Sequence, residues 1–168
     1  MAHPRHEDVR QRYGARCGYC GVRENDVAGE LTVDHFRPAA LGGDDSDDNL
    51  VYACVRCNLY KQDYAPAPED LANGRRVLHP LRDNLAIHVR LDDRTGRLEA
   101  LSETGRFHIA LLHLNRTPLI AYRMQKRLAD LLVAKQRLLE AENRQLRQLL
   151  DAQEQYIAEL RRLLGSGR

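Results

Sequence analysis

Val33 to Lys61 reads VDHFRPAALGGDDSDDNLVYACVRCNLYK. The stretch holds an Asp-His pair, a Gly-Gly loop, an Asn-Leu step into an apolar run, and a Cys-x-x-Cys pair followed directly by Asn58. A matching pair, Cys17-Gly-Tyr-Cys20, lies upstream, and 33 residues separate the two pairs. That separation exceeds what a minimal zinc ribbon needs, so the intervening segment must carry chemistry of its own. The rest of the chain is read as what holds, aims or pairs this centre.

The 168 residues suffice for one ordinary domain and an appendage. The formal charge is only +2, but it is unevenly spread. From Thr117 onward 10 Lys/Arg face 6 Asp/Glu, which leaves the basic excess on the tail, a weak pointer to a polyanion. No apolar run approaches the roughly 20 residues that span a bilayer, and no signal peptide is visible, so the expectation is a cytoplasmic protein without a membrane partner. In a reducing compartment two Cys-x-x-Cys pairs are metal ligands rather than disulfides. Each tight turn supplies two thiolates, and four thiolates close a tetrahedral shell around a structural Zn²⁺ at Cys17, Cys20, Cys54 and Cys57. A closed shell leaves no open coordination position, so this zinc would fold the site without catalysing.

Working outward, His3 to Tyr13 predicts a short helix stopped at Gly14. Glu24 to Glu30 is polar and predicts loop, Leu31 to Val33 a strand ending at Asp34-His35, and Pro38 to Asp48 a loop. Leu50 to Val55 is apolar and predicts the start of a helix capped by Asn49 or Asp48. Pro66 and Pro68 end this first unit. Ala86 to Leu91 alternates like a half-buried strand, Asp92 to Gly96 is a turn, Arg97 to Leu101 returns, and Ser102 or Thr104 caps a helix to about Leu114. This hairpin and helix are too small to stand alone and should pack on the first unit.

Thr117-Pro118 is a good helix start, and no Gly or Pro follows until Gly165. One heptad frame puts Leu128, Leu132, Leu139, Leu146, Leu149, Tyr156, Leu160 and Leu163 on the a/d seam, with Lys135, Glu142 and Gln153 as its polar positions. At 1.5 Å per residue such a helix runs roughly 70 Å, too long to bury its stripe on so small a body. A partner helix is expected, most simply from a second copy, giving a homodimer. A solvated helix held by charge pairs is the alternative. The expected organisation is an α+β chain with units at 1–65, 66–116 and 117–164, and a disordered tail at 165–168.

From Cys17 through Asp34-His35, Pro38, Gly42-Gly43, Asn49-Leu50, Cys54-x-x-Cys57-Asn58 and Lys61, order and spacing resemble the cysteine-containing HNH endonucleases. His79-Pro80, Thr104-Gly-Arg106 and Leu114-Asn-Arg116 resemble segments that follow the nuclease unit in a bacterial subgroup. The resemblance implies a ββα-metal unit, two strands and a helix around one divalent ion. It implies that His35 is the general base, an imidazole able to take a proton from water at neutral pH. It implies Asp34 as the metal-binding carboxylate, a hard ligand suited to Mg²⁺ or Mn²⁺, and Asn49 as the residue that ties the loop backbone and aims His35. Asn58 stands where many members have a second ligand histidine, as in HNN variants; its amide oxygen binds Mg²⁺ but lacks the zinc preference of imidazole. The resemblance implies that Lys61 neutralises phosphate oxygens; Arg37, which flanks the site by sequence, reads either as a second phosphate contact or as solvated surface charge.

Asp44, Asp45, Asp47 and Asp48 read as a solvated acidic loop, without the terminal Glu that a calcium loop needs. His79, Asp83 and His88 lack tight ligand spacing and read as structural. The function expected is therefore metal-dependent hydrolysis of DNA phosphodiester bonds. The alternatives are a catalytically inactive zinc module that binds DNA or protein, with the long helix as its dimerisation element, and a coiled-coil scaffold.

Overall fold

The computed structural model describes residues 3–27 and 29–165. It divides into two units, 1–124 and 125–168. The first contains α1 (His6–Arg12), α2 (Glu24–Val27), β1 (Thr32–His35), β2 (Leu50–Ala53), α3 (Val55–Lys61), α4 (Pro68–Ala72), β3 (Val89–Leu91), β4 (Leu98–Ala100) and α5 (Glu103–Leu111). A final helix, α6 (Thr117–Gly165), begins in this unit and makes up the described part of the second. The architecture is α+β: two small antiparallel hairpins, short helices and one long C-terminal helix.

The central element is the β1–β2 ribbon, in which Thr32 pairs with Ala53, Asp34 with Val51 and His35 with Leu50. Leu50 to Val55 was expected to begin a helix, and here the structure corrects the sequence. Leu50 to Ala53 is a strand, each residue 0 % exposed, and the helix starts only at Val55. A continuous apolar run fits a strand buried on both faces as well as a buried helix, and only the pairing partner decides between them. Glu24 to Val27 forms a helical turn instead of loop, with Glu24 held by the Arg10 guanidinium at 2.9 and 3.0 Å. Ala86 to Leu91 is strand only from Val89. Asn84 accepts a hydrogen bond from Ala86 N–H at 3.2 Å and winds residues Leu85–Ile87 into a 3₁₀ turn. α5 stops at Leu111, before the expected Leu114, and His113 turns the chain with φ 47°.

The core gathers Val9, Cys17, Tyr19, Val22, Leu31, the whole of β2, Val77, Leu112, Leu114 and Leu119. The segments on either side of the β3–β4 hairpin therefore share one core with the ββα unit. Gly105 permits part of this packing, since a Cβ there would collide with the His88 carbonyl. The first turns of α6 belong to the same unit. Arg123 donates to Gly96 O at 3.0 Å and Leu114 O at 2.7 Å, and Tyr122 donates to Asp26 at 2.9 Å. In the second unit the seam residues Leu128, Leu132, Leu139, Leu146, Leu149, Tyr156 and Leu160 are exposed. Gly165, expected in the tail, closes α6, and residues 166–168 lie outside the described residues. No helix among the described residues is long and apolar enough to cross a membrane.

Candidate active site and zinc cluster

The four cysteines converge. Cys17, Cys20, Cys54 and Cys57 bring their sulfurs within 4.8 Å of one another, and Cys20 Sγ lies 3.8 Å from Cys54 Sγ. A tetrahedron with Zn–S bonds of about 2.3 Å has edges of about 3.8 Å, whereas a disulfide would bring two sulfurs to about 2.05 Å. The cluster is a zinc-binding arrangement. Local sequence builds both halves. In the first turn Gly21 takes φ +75° and donates to Cys17 O at 2.8 Å, while Cys17 N–H donates to Val22 O at 2.8 Å. In the second, Cys54 caps α3 and its sulfur accepts from Cys57 N–H at 3.4 Å. Arg116 completes the surroundings, its guanidinium 3.7 Å from Cys57 Sγ and 3.9 Å from Cys54 Sγ. Four thiolates around Zn²⁺ carry a net charge of −2, and a half-buried guanidinium offsets part of it.

The zinc turn also reaches the ββα site. Tyr19, between the first two ligands, donates to Asp34 Oδ2 at 2.5 Å. Burial first, then the Asp34 charge, pushes the Tyr19 hydroxyl well above its ordinary pKa, so it remains a donor. Asp34 is 6 % exposed, and its other oxygen faces Lys61 Nζ at 3.2 Å. Burial raises the Asp34 pKa, while Lys61 and Tyr19 pull it back. Lys61 is itself 1 % exposed and also donates to the backbone oxygen of His35 at 2.7 Å. Its ammonium faces inward, onto the carboxylate and strand end.

His35 ends β1 with its side chain 22 % exposed. Its Nε2 lies 2.7 Å from Asp45 Oδ1. Asn49 spans the loop between the strands. Its Oδ1 accepts from Arg37 N–H at 2.7 Å, and its Nδ2 donates to Arg37 O at 3.1 Å and Asp44 O at 2.8 Å. Gly43 must be glycine, because a Cβ there would overlap the Arg37 carbonyl. Asn58 is half-buried on α3, one residue past the last cysteine. Arg37 is exposed and donates to Leu41 O at 2.9 Å. His79, Asp83 and His88 engage protein partners: Asp83 accepts from Arg76 at 2.7 and 2.8 Å and from His79 N–H at 2.7 Å, and His88 pairs with Ser102 at 2.6 Å.

By type, a carboxylate oxygen of Asp34 and the amide oxygen of Asn58 are donors that a hard divalent ion takes, but both Asp34 oxygens are engaged, one by Tyr19 and the other by Lys61. Sequence reasoning missed four participants: Tyr19, Asp45, His3 and Arg116. Tyr19 carried one usable signal, its place between two ligands.

Residues 17–63 match the family model of the HNH endonucleases. The chain is also similar to the Septu protein PtuA of Bacillus mycoides (strain KBAB4), with 26 % identity over 143 residues, covering 70 % of this chain and 20 % of that protein. The chain thus spans about a fifth of the length of that relative. No solved structure matches it significantly.

Proposed function

We propose that the chain is a metal-dependent endonuclease that hydrolyses phosphodiester bonds in DNA, with His35 as general base. What carries this reading is the position of His35 within the matched domain. It sits part-exposed at the strand end, with Nε2 engaged by Asp45 and, among the described residues, no hydrogen bond to Nδ1. Nδ1 takes a proton from water as the water oxygen attacks phosphorus; the P–O3′ bond breaks, and the departing oxygen is protonated from solvent. Asp34 and Asn58 would hold Mg²⁺ or Mn²⁺, which supplies charge stabilisation at the scissile phosphate. Asn49 holds the loop that follows His35, and Lys61 anchors both Asp34 and the His35 carbonyl. The exposed seam of α6 pairs with a second copy, so that two sites act on one duplex.

Supercoiled plasmid incubated with the zinc-loaded protein and Mg²⁺ or Mn²⁺ should be nicked or linearised, and His35→Ala should lose this activity. Equal cleavage by wild type and His35→Ala, or none with either metal, sinks the proposal. Sedimentation at increasing concentration should show a dimer, and a concentration-independent monomer refutes the pairing. One observation favours the alternative of an inactive zinc module that binds DNA or protein: both Asp34 oxygens are already taken by Tyr19 and Lys61. That alternative requires His35→Ala to be silent while Cys54→Ala destroys binding.

A further inference from the structure

We propose that Asp45 is a positioning residue for His35: its carboxylate fixes the imidazole tautomer, and an N-terminal arm made by His3 and Arg5 holds that carboxylate in place. The inference rests on the nuclease reading for its catalytic meaning, but the contact itself is independent of it.

Asp45 lies in the β1–β2 loop, in the acidic run that sequence alone reads as solvent-facing. Its Oδ1 is 2.7 Å from His35 Nε2 and 3.3 Å from His3 Nε2, and its backbone oxygen accepts from Arg5 Nη1 at 2.6 Å. A neutral imidazole carries one N–H. A carboxylate oxygen against Nε2 stabilises the tautomer with the proton there, since the other would set a lone pair against an anionic oxygen. Nδ1 is left with the lone pair that a general base requires. The hydrogen bonds from both histidines hold Asp45 ionised, below the usual carboxylate range.

His3 makes the trio legible. Arg5 N–H donates to His3 Nδ1 at 3.1 Å, so the His3 proton resides on Nε2 and points at Asp45. The three side chains are of metal-binding types and lie within 4.8 Å of one another. While Arg5 occupies Nδ1, however, His3 Nε2 is a donor and has no lone pair for an ion. The geometry is that of two imidazole donors converging on one carboxylate. The loop is anchored on both sides of Asp45: Asn49 and Ser46 bind Asp44, and Arg5 and Arg12 pair with Asp47. The groups facing the trio are thus Arg5, Arg12 and Lys61, with Lys61 on the His35 carbonyl. None of the arm falls within residues 17–63, so the matched domain alone omits it.

The test uses the zinc-loaded 168-residue chain labelled with ¹⁵N. Imidazole ¹H–¹⁵N correlations should show the His35 proton on Nε2 in wild type and a mixture of tautomers in Asp45→Asn and Asp45→Ala. In plasmid cleavage kcat should fall about tenfold to a hundredfold in both variants, the range carried by outer partners of an active histidine, with KM for DNA changed less than twofold. Asp45→Glu should recover part of the rate, and His3→Gln should give a smaller, few-fold loss. Asp45 is 61 % exposed, so these variants should melt with wild type. A wild-type His35 protonated on Nδ1, an unchanged tautomer in Asp45→Ala, or wild-type kcat in both variants overturns the inference. So does stoichiometric uptake of a second Zn²⁺ that His3→Gln abolishes, which would make the trio a metal site. If wild type cleaves nothing while the Asp45-dependent tautomer is present, the positioning contact is upheld and the nuclease reading is what fails.

Discussion

Replacing Lys61 by methionine isolates the buried ion pair on which the site rests. Lys61 and Asp34 are 1 % and 6 % exposed with N and O 3.2 Å apart, and the ammonium also satisfies the His35 carbonyl at 2.7 Å. Methionine keeps much of the volume but leaves a buried carboxylate without its cation. Removing one partner of such a pair costs about 3–5 kcal/mol. Tyr19 still donates to the other oxygen, which places the expected loss near about 3 kcal/mol. For a unit of this size that lowers Tm by roughly 10 °C. Removing the charge as well, in Asp34→Asn/Lys61→Met, should recover about 2 kcal/mol relative to Lys61→Met, because no uncompensated buried carboxylate remains. The sign with pH follows from Asp34. Burial already raises its folded pKa, and loss of Lys61 raises it further. A raised carboxylate binds more protons folded than unfolded, so stability is greatest below the unfolded pKa and is lost as pH rises through the folded one. The deficit of Lys61→Met relative to wild type should therefore shrink from pH 7.5 to pH 5. Urea denaturation of the zinc-loaded proteins at both pH values measures this through the midpoint at constant slope. A single variant within about 0.5 kcal/mol of wild type, or a double variant no more stable than Lys61→Met, refutes the reasoning.

Stripping zinc with a high-affinity chelator should unfold the ββα unit, because structural zinc contributes on the order of 10 kcal/mol to such folds; unchanged circular dichroism and melting would contradict this. Arg116→Ala should weaken zinc retention about tenfold in a competition titration, reflecting lost N–H···S contacts to Cys54 and Cys57, and unchanged retention would remove Arg116 from the cluster. His108 is pushed down to about 4 by burial and accepts from Leu78 N–H at 3.1 Å. A depressed histidine favours the folded state above its unfolded pKa. Stability should therefore fall by up to about 3 kcal/mol between pH 6.5 and 4. His108→Gln should be less stable at pH 7 yet flatter by about one proton across that window, and an identical slope would rule His108 out.

Much of the site is legible in the residues themselves. The two cysteine pairs specify zinc, because thiolate chemistry and tight turns act over three or four residues; Asp34-His35, Asn49 and Asn58 point to a ββα unit only through their resemblance to the HNH endonucleases. The alternation and breakers around Pro66 to Gly96 locate the second hairpin for the same reason. Whether Leu50 to Ala53 is strand or helix was not legible, since its four apolar residues satisfy both and β1 supplies the deciding hydrogen bonds. Nor were the side-chain contacts that aim the site. Tyr19 meets Asp34 across 15 residues, His35 meets Asp45 across 10, His3 meets Asp45 across 42, and Arg116 meets Cys57 across 59. No periodicity encodes such pairs; they exist only once the core has closed and brought the zinc turn, the acidic loop and the N-terminal arm around the end of one strand. Local sequence determined which chemical groups the centre contains. Tertiary packing decided which of them touch, placing Lys61 on Asp34 inside and Asp45 on His35 outside.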